Sequence, residues 1–418
     1  MQNIKFLKRI SDKIGPGIIT GVADDDPSGV LTYIQSGLVL GAASFWLALF
    51  MFPMMYAVQE ISGRLGLKSG KGLMELIKEH YHPVISGGIA LISSIVIIIN
   101  IGADLLAMSI ILESMFHVSR FIILPVVAIL ITSGMIFLSY KRFSEIMKWF
   151  ALSLVFYIIT VFYMHVSWIA SLKATVIPSF SLTTGNILLL AAILGTTISP
   201  YLFFWQSGEE VEEREEKTEE SHRRYFITTR RIRDMREDTF LGMLFSEIGT
   251  WFMLVGGAQI LRLYHISQIS DFNQVALVLK PALGPAAYLI FGLGIIGVSA
   301  LAIPTMAGSV GYMFSEVFGW KEGINKRFKE ASKFYLVIII AMLAGLGLNV
   351  LHLNPVQLLI YTAVLYTIIT PPIIYLLLRL ARNKKIVGDK ITTPVVQTIG
   401  IITLVVMTAV AIGYLSTL

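Results

Sequence analysis

Apolar runs of about 20 residues recur along this whole chain, and each is long enough to cross about 30 Å of hydrocarbon as a helix. There are eleven, at about 15–38, 40–60, 84–114, 121–140, 147–168, 187–207, 239–260, 284–314, 334–351, 356–379 and 394–416. The 418 residues are 55% hydrophobic and 14% charged, with a mean hydropathy of +0.75, which excludes an ordinary soluble domain. Continuous apolar blocks also exclude a β-barrel, whose strands alternate over about ten residues. The chain therefore reads as an all-α polytopic membrane protein in a lipid bilayer. Polar, Pro or Gly residues interrupt its first, sixth and eighth spans.

Lys and Arg set the orientation. With the N-terminus in the cytoplasm, 29 of the 33 fall on inside segments, leaving Arg120, Lys173, Arg262 and Lys280 outside. The expected location is a prokaryotic plasma membrane, with the C-terminus outside. The net charge of +6 is then an insertion signal and gives no case for nucleic-acid binding. No cysteine is present, so disulfides and thiolate metal sites are excluded. The segment Lys5 to Lys13 is basic but lacks the apolar core of a signal peptide, so the first span is expected to remain. Between spans six and seven, the charged segment 208–238 carries eight glutamates in GEEVEEREEKTEES and then a cluster of arginines, read as a solvated, helical cytoplasmic loop. No obligate protein partner and no bound cofactor is evident.

The stretch GVADDDPSGV, from Gly21 to Val30, breaks the apolar pattern of the first span. Three aspartates facing lipid would cost on the order of 8 to 10 kcal/mol on insertion scales. Something else must face them. Pro27 and Gly29 weaken a helix, so the span is expected to unwind at DDDPSG. The sixth span repeats the device with Gly195, hydroxyl residues and Pro200 in LGTTISPYLFFWQS. Interrupted helices at corresponding positions of two halves point to the substrate site of an inverted-repeat carrier. Asp26 is the first candidate for an ion contact. Asp24 and Asp25 either line the ion pathway or serve as a helix cap or local pair.

These residues resemble the NRAMP family of divalent metal transporters. Asp26-Pro27-Ser28-Gly29 stands where the family has DPGN, and Ser199-Pro200-Tyr201 where it has MPH. The segment from Gln59 to Leu73, after the second span, and LRLARNKKIVG near the tenth span's end resemble the family further. The resemblance implies a LeuT-like 5+5 inverted repeat plus one extra helix. The whole of 1–418 would be one transport domain, with repeats at about 15–168 and 187–379 and the extra helix at 394–416. It also implies metal ligands at Asp26, Gly29 and Ser199, with carbonyls at Ala23 and Thr196 and Tyr201 alongside.

Two of those side-chain ligands differ from the family's, Gly29 in place of Asn and Ser199 in place of Met. Losing a thioether and gaining a hydroxyl favours hard ions. A roomier all-oxygen site suits Mg2+, which keeps its waters. The transported ion is thus expected to be Mg2+, as in the NRAMP-related magnesium transporters, with Mn2+ as the alternative.

Proton-coupled members use acids on the third span and a sixth-span histidine. Here Asp104 remains, Ala107 replaces a second acid, and Tyr201 and Gln206 stand at the histidine positions. All seven histidines fall in loops or at span ends, against an imidazole relay. Asp104 either relays protons alone or makes a structural hydrogen bond. Glu113, Glu247 and Glu316 are expected near span ends, where snorkelling is cheap, and the methionines in packing.

An enzyme is disfavoured: no Ser/His/Asp set, phosphate loop, cysteine nucleophile or HExxH occurs. An organic-substrate carrier on the same fold would need a positive charge facing the cavity. A receptor whose function lies in the charged loop is the third alternative.

Overall fold

The computed structural model describes residues 16–138, 140–164, 166–179, 183–221, 227–264, 269, 274, 286–351, 353–388 and 392–417. Lys5 to Lys13, residues 222–226 of the charged segment, Lys280, His165, His222, His265 and His352 lie outside these. No strand occurs among the described residues.

The first span is two helices, α1 (Pro16–Ala23) and α2 (Pro27–Leu40), with Asp24, Asp25 and Asp26 between them. The unwound part is shorter than expected. Pro27 sits at the first turn of α2, where its missing N–H costs nothing, and Asp26 caps that helix by accepting from the Gly29 N–H. A turn at Gly41, with φ of 59°, leads through a 3-10 segment (Gly41–Ser44) to α3 (Phe45–Ser69). Among the described residues ten helical stretches are long and apolar enough to cross a membrane, and the 43-residue stretch at 27–69 takes in parts of both the first and second expected spans, on either side of the Gly41 turn.

Helix α3 runs nine residues past the expected end, stopping at Gly70, whose φ of 70° only glycine adopts cheaply. The Gln59 segment is thus mostly the helix's buried last turns. There Glu60 pairs with Arg64 at 4% exposure, and with Arg236. Next come α4 (Leu73–His80), α5 (Pro83–Phe116), α6 (Arg120–Phe137), α7 (Tyr140–Ala151), α8 (Leu154–Phe162) and α9 (Trp168–Val176).

The sixth span is also two helices, α10 (Thr184–Thr197) and α11 (Pro200–Ser221), parted at Ile198 and Ser199. Pro200 opens the second half as Pro27 does the first. The remaining helices are α12 (Thr229–Tyr264), α13 (Ala286–Phe318), α14 (Ser332–Leu348), α15 (Pro355–Ala381), α16 (Lys384–Val387) and α17 (Pro394–Leu415).

The acidic part of the charged segment is less solvated than expected. Helix α11 runs on through it to Ser221, and Glu209, Glu210 and Glu212 are 1%, 2% and 3% exposed, whereas Arg230, Arg233 and Glu237 at the start of the next helix are exposed. Glu212 accepts from the Ile324 N–H at 2.6 Å, the Asn325 N–H at 3.0 Å and the Tyr312 hydroxyl, fastening α11 to the turn between α13 and α14. Burial, with Glu316 and Glu212 nearby, pushes the Glu322 carboxyl in that turn well above the usual range.

Glycines bring α12 against both halves of the first span. A Cβ on Gly242 would overlap Gly17 O, and one on Gly257 would overlap Ile34 O. Small residues permit such backbone approach in bilayers, where packing replaces the hydrophobic drive between helices.

Candidate functional site

The two breaks meet at Asp26, which is 1% exposed. Its Oδ1 accepts from the Gly29 N–H at 2.7 Å and the Ser28 hydroxyl at 2.6 Å, and its Oδ2 from Asn100 Nδ2 at 2.6 Å. Ser28 Oγ lies 3.2 Å from Thr196 Oγ1 on α10, and the Tyr33 hydroxyl 2.8 Å from Thr197 Oγ1. The Tyr201 hydroxyl, from α11, donates to Ala23 O at 2.8 Å. Helix ends, unwound carbonyls and one carboxylate thus face one another inside the bundle, where irregular backbone is tolerated at membrane depth.

The structure brings Asp26, Ala23, Gly29, Thr196, Ser199 and Tyr201 together. Ser199, however, turns its hydroxyl back onto Thr196 O at 2.7 Å and Gly195 O at 2.9 Å, satisfying its own helix end. Gly29 leaves no spare room: a Cβ there would lie 3.0 Å from Asp24 O and 3.3 Å from Thr196 Oγ1.

The other candidates lie apart. Asp25 points to α12, where the Thr250 hydroxyl donates to it at 3.1 Å. Asp24 has both carboxyl oxygens buried without a hydrogen-bond partner, as has Glu247. Glu247 lies within electrostatic range of Asp24 and Asp25. Its place in the middle of α12, at 4% exposure, corrects the expectation of a span end. Glu316 is equally buried but does lie near its helix end, as Glu113 does, and it accepts from the Glu75 N–H at 2.8 Å. Gln206 bonds Glu210 at 3.1 Å, further along α11. Asp104 is fully buried, also without a partner, so the structural hydrogen bond offered for it is absent from its side chain. Among the described residues no three Asp, Glu or His side chains form a ready metal cage.

Two contributors were not foreseen. Asn100, on α5, donates to Asp26 and lies 3.1 Å from Met306 Sδ on α13, while the Thr362 hydroxyl of α15 donates to its Oδ1 at 2.9 Å. An Asn one turn before Asp104 in an apolar run was a usable signal. Met306 had none, since a methionine in such a run reads as packing. Its sulfur means that the surroundings of Asp26 are not all oxygen.

This broken-helix bundle defines a multi-pass membrane protein of the LeuT-like class. A family model described as "Natural resistance-associated macrophage protein-like" matches residues 17–417, and the chain belongs to the Nramp family. The divalent metal cation transporter MntH of Klebsiella pneumoniae is 25% identical over 401 residues, covering 93% of this chain and 89% of that protein. MntH of Granulibacter bethesdensis is 26% identical over 303 residues, 71% of this chain and 66% of that one. Among solved structures, the Eremococcus coleocola manganese transporter with an aromatic bis-isothiourea compound gives a TM-score of 0.77 at 14% identity, covering 98% of this chain and 87% of that chain. Mhp1, a nucleobase-cation-symport-1 family transporter in a closed conformation, gives 0.53 at 12% identity, covering 97% and 93%. Both likenesses are likenesses of fold.

Proposed function

We propose that this chain is a divalent metal cation importer working by alternating access, with the ion held at Asp26 between the two helix breaks. The observation that carries this reading is the convergence of α1, α2, α10 and α11 on one buried carboxylate. The relatives named as divalent metal cation transporters support the same substrate class. Its N-terminus lies in the cytoplasm, by the distribution of Lys and Arg. The oxygens of Asp26, Ser28, Ala23 and Thr196 suit hard and borderline ions, Mg2+ and Mn2+ among them. Ser199 and Gly29 remove the family's sulfur and amide from their usual places, so these two positions by themselves give no preference for a soft ion.

Coupling through an imidazole is not part of this reading, because His80, His82 and His117, the described histidines, sit at helix ends. Asp104 is the remaining acid on α5 near Asn100 and would act, if at all, alone. An organic substrate is disfavoured because every charged group described at the first break and facing it from α12 is acidic.

The test is uptake of Mg2+ and of Mn2+ into proteoliposomes at a fixed membrane potential, beside Asp26→Ala. Uptake of either ion that the substitution abolishes supports the reading. Flux of neither ion, or flux unchanged in Asp26→Ala, contradicts it.

A further inference from the structure

We propose that Asn100 and Met306 are cation ligands alongside Asp26, and that the Met306 thioether makes the site favour softer divalent ions, Cd2+ among them, over Mg2+. This rests on the divalent-carrier reading and replaces the sequence-based preference for Mg2+.

A single nitrogen, Asn100 Nδ2, lies 2.6 Å from Asp26 Oδ2 and 3.1 Å from Met306 Sδ. A carboxylate oxygen and a thioether sulfur therefore face the same small volume, filled by the positive end of an amide. Cations are attracted by the acceptors that attract such an N–H group. All three residues are buried, Asn100 and Met306 fully.

The surrounding network allows the amide to become a ligand. Rotating the Asn100 carboxamide by half a turn puts Oδ1 towards Asp26 and Met306, and Nδ2 towards Thr362. The Thr362 hydroxyl is already 2.8 Å from Leu359 O, so it can donate there and accept from the rotated Nδ2. No hydrogen bond at Thr362 is lost. The ion would then meet a carboxylate from the break between α1 and α2, an amide carbonyl from α5 and a thioether from α13.

Donor softness gives the selectivity. Thioether sulfur binds soft and borderline metals and contributes little to Mg2+, which prefers oxygen and water. Ser199 places no sulfur at the second break, but α13 supplies one from the other side of Asp26. Pro304, two residues before Met306, removes one backbone N–H from α13 at this level.

The test is calorimetric binding of Cd2+, as the soft probe, and of Mg2+ to the purified full-length protein and to Met306→Leu and Asp26→Ala. Leucine conserves volume, so packing is retained. The expected result is a loss of Cd2+ affinity of about tenfold or more in Met306→Leu, with Mg2+ binding within about twofold of wild type, and loss of both ions in Asp26→Ala. Unchanged Cd2+ affinity in Met306→Leu, with Asp26→Ala still inactive, overturns the sulfur ligand and leaves the carrier reading standing. Intact binding in Asp26→Ala overturns both. If Met306→Leu does not fold, anomalous scattering from wild-type crystals with Cd2+ decides: a peak bonded to Met306 Sδ supports the proposal, and a peak away from it overturns it.

Discussion

Asn100 and Asp26, 74 positions apart in the chain, are joined by a 2.6 Å hydrogen bond at the centre of the bundle. Asn100→Leu removes that donor while keeping similar bulk. The cost of an unpaired carboxylate oxygen is about 1–3 kcal/mol, more where it is charged. In transport, Asn100→Leu is expected to raise the KM for Mn2+ about tenfold, and Asn100→Gln to recover part of it. Concentration-dependent uptake by both variants checks this.

Gly29→Asn recreates the family's residue in the first-span motif, yet it is not expected to rebuild the family's site. The new Cβ meets Asp24 O at 3.0 Å, Thr196 Oγ1 and Tyr33 Cε2, all in the packed helix break. Overpacking costs roughly 1–3 kcal/mol. A lower melting temperature together with reduced uptake is the expected outcome; uptake above wild type would show that the break opens to accept the side chain.

Glu60→Ala should destabilise the protein more than any exposed ion pair does. It leaves Arg64, 3% exposed, without the carboxylate that it meets from one turn away, and removes one of the groups that Arg236 faces. Breaking a buried pair from one side costs about 3–5 kcal/mol. Thermal unfolding in detergent measures it, with Lys71→Ala as the comparison, since Lys71 is 36% exposed where it pairs with Glu79.

Deleting Glu209 to Glu220 is expected to abolish the folded carrier. Glu212 holds the turn at Ile324 and Asn325, Arg214 Nη1 donates to Leu67 O at 3.2 Å, and Lys326 pairs with Glu215 at 2.8 Å. Loss of monodisperse protein on size exclusion is the outcome to look for. A folded, active deletion would restore the solvated-loop reading.

Glu322 gives a pH dependence with a definite sign. Its carboxyl is held above the usual range by burial first, and then by Glu316, Glu212 and other acids. The folded protein therefore binds its proton at higher pH than the unfolded chain does. Stability from this group increases as pH falls through the folded value, and is complete below the unfolded one. Glu322→Gln is expected to raise the melting temperature near pH 7.5 and to flatten the gain seen on mild acidification, both read from melting curves across pH.

The spans and both helix breaks were legible because each depends on local sequence. Apolar length sets a span, and Asp26-Pro27 and Ser199-Pro200 carry the signals of helices that restart. What faces Asp26 was not legible. Met306 lies 206 positions from Asn100, and nothing local separates a methionine that lines a site from one that packs against lipid or another helix. Glu247 and Glu212 misled for the opposite reason. A glutamate reads as solvent-facing or close to a span end unless the helix is known to continue past it. Helix α12 begins ten residues before its expected span, and α11 extends through the acidic run, so charge alone misplaced both.

The most direct test of the central claim is anomalous scattering from crystals grown with Mn2+. The account predicts one strong peak bonded to Asp26, with Asn100 and Met306 in the same coordination sphere, absent from Asp26→Ala crystals. A peak among Asp24, Asp25 and Glu247 instead, or one that survives Asp26→Ala, would contradict it.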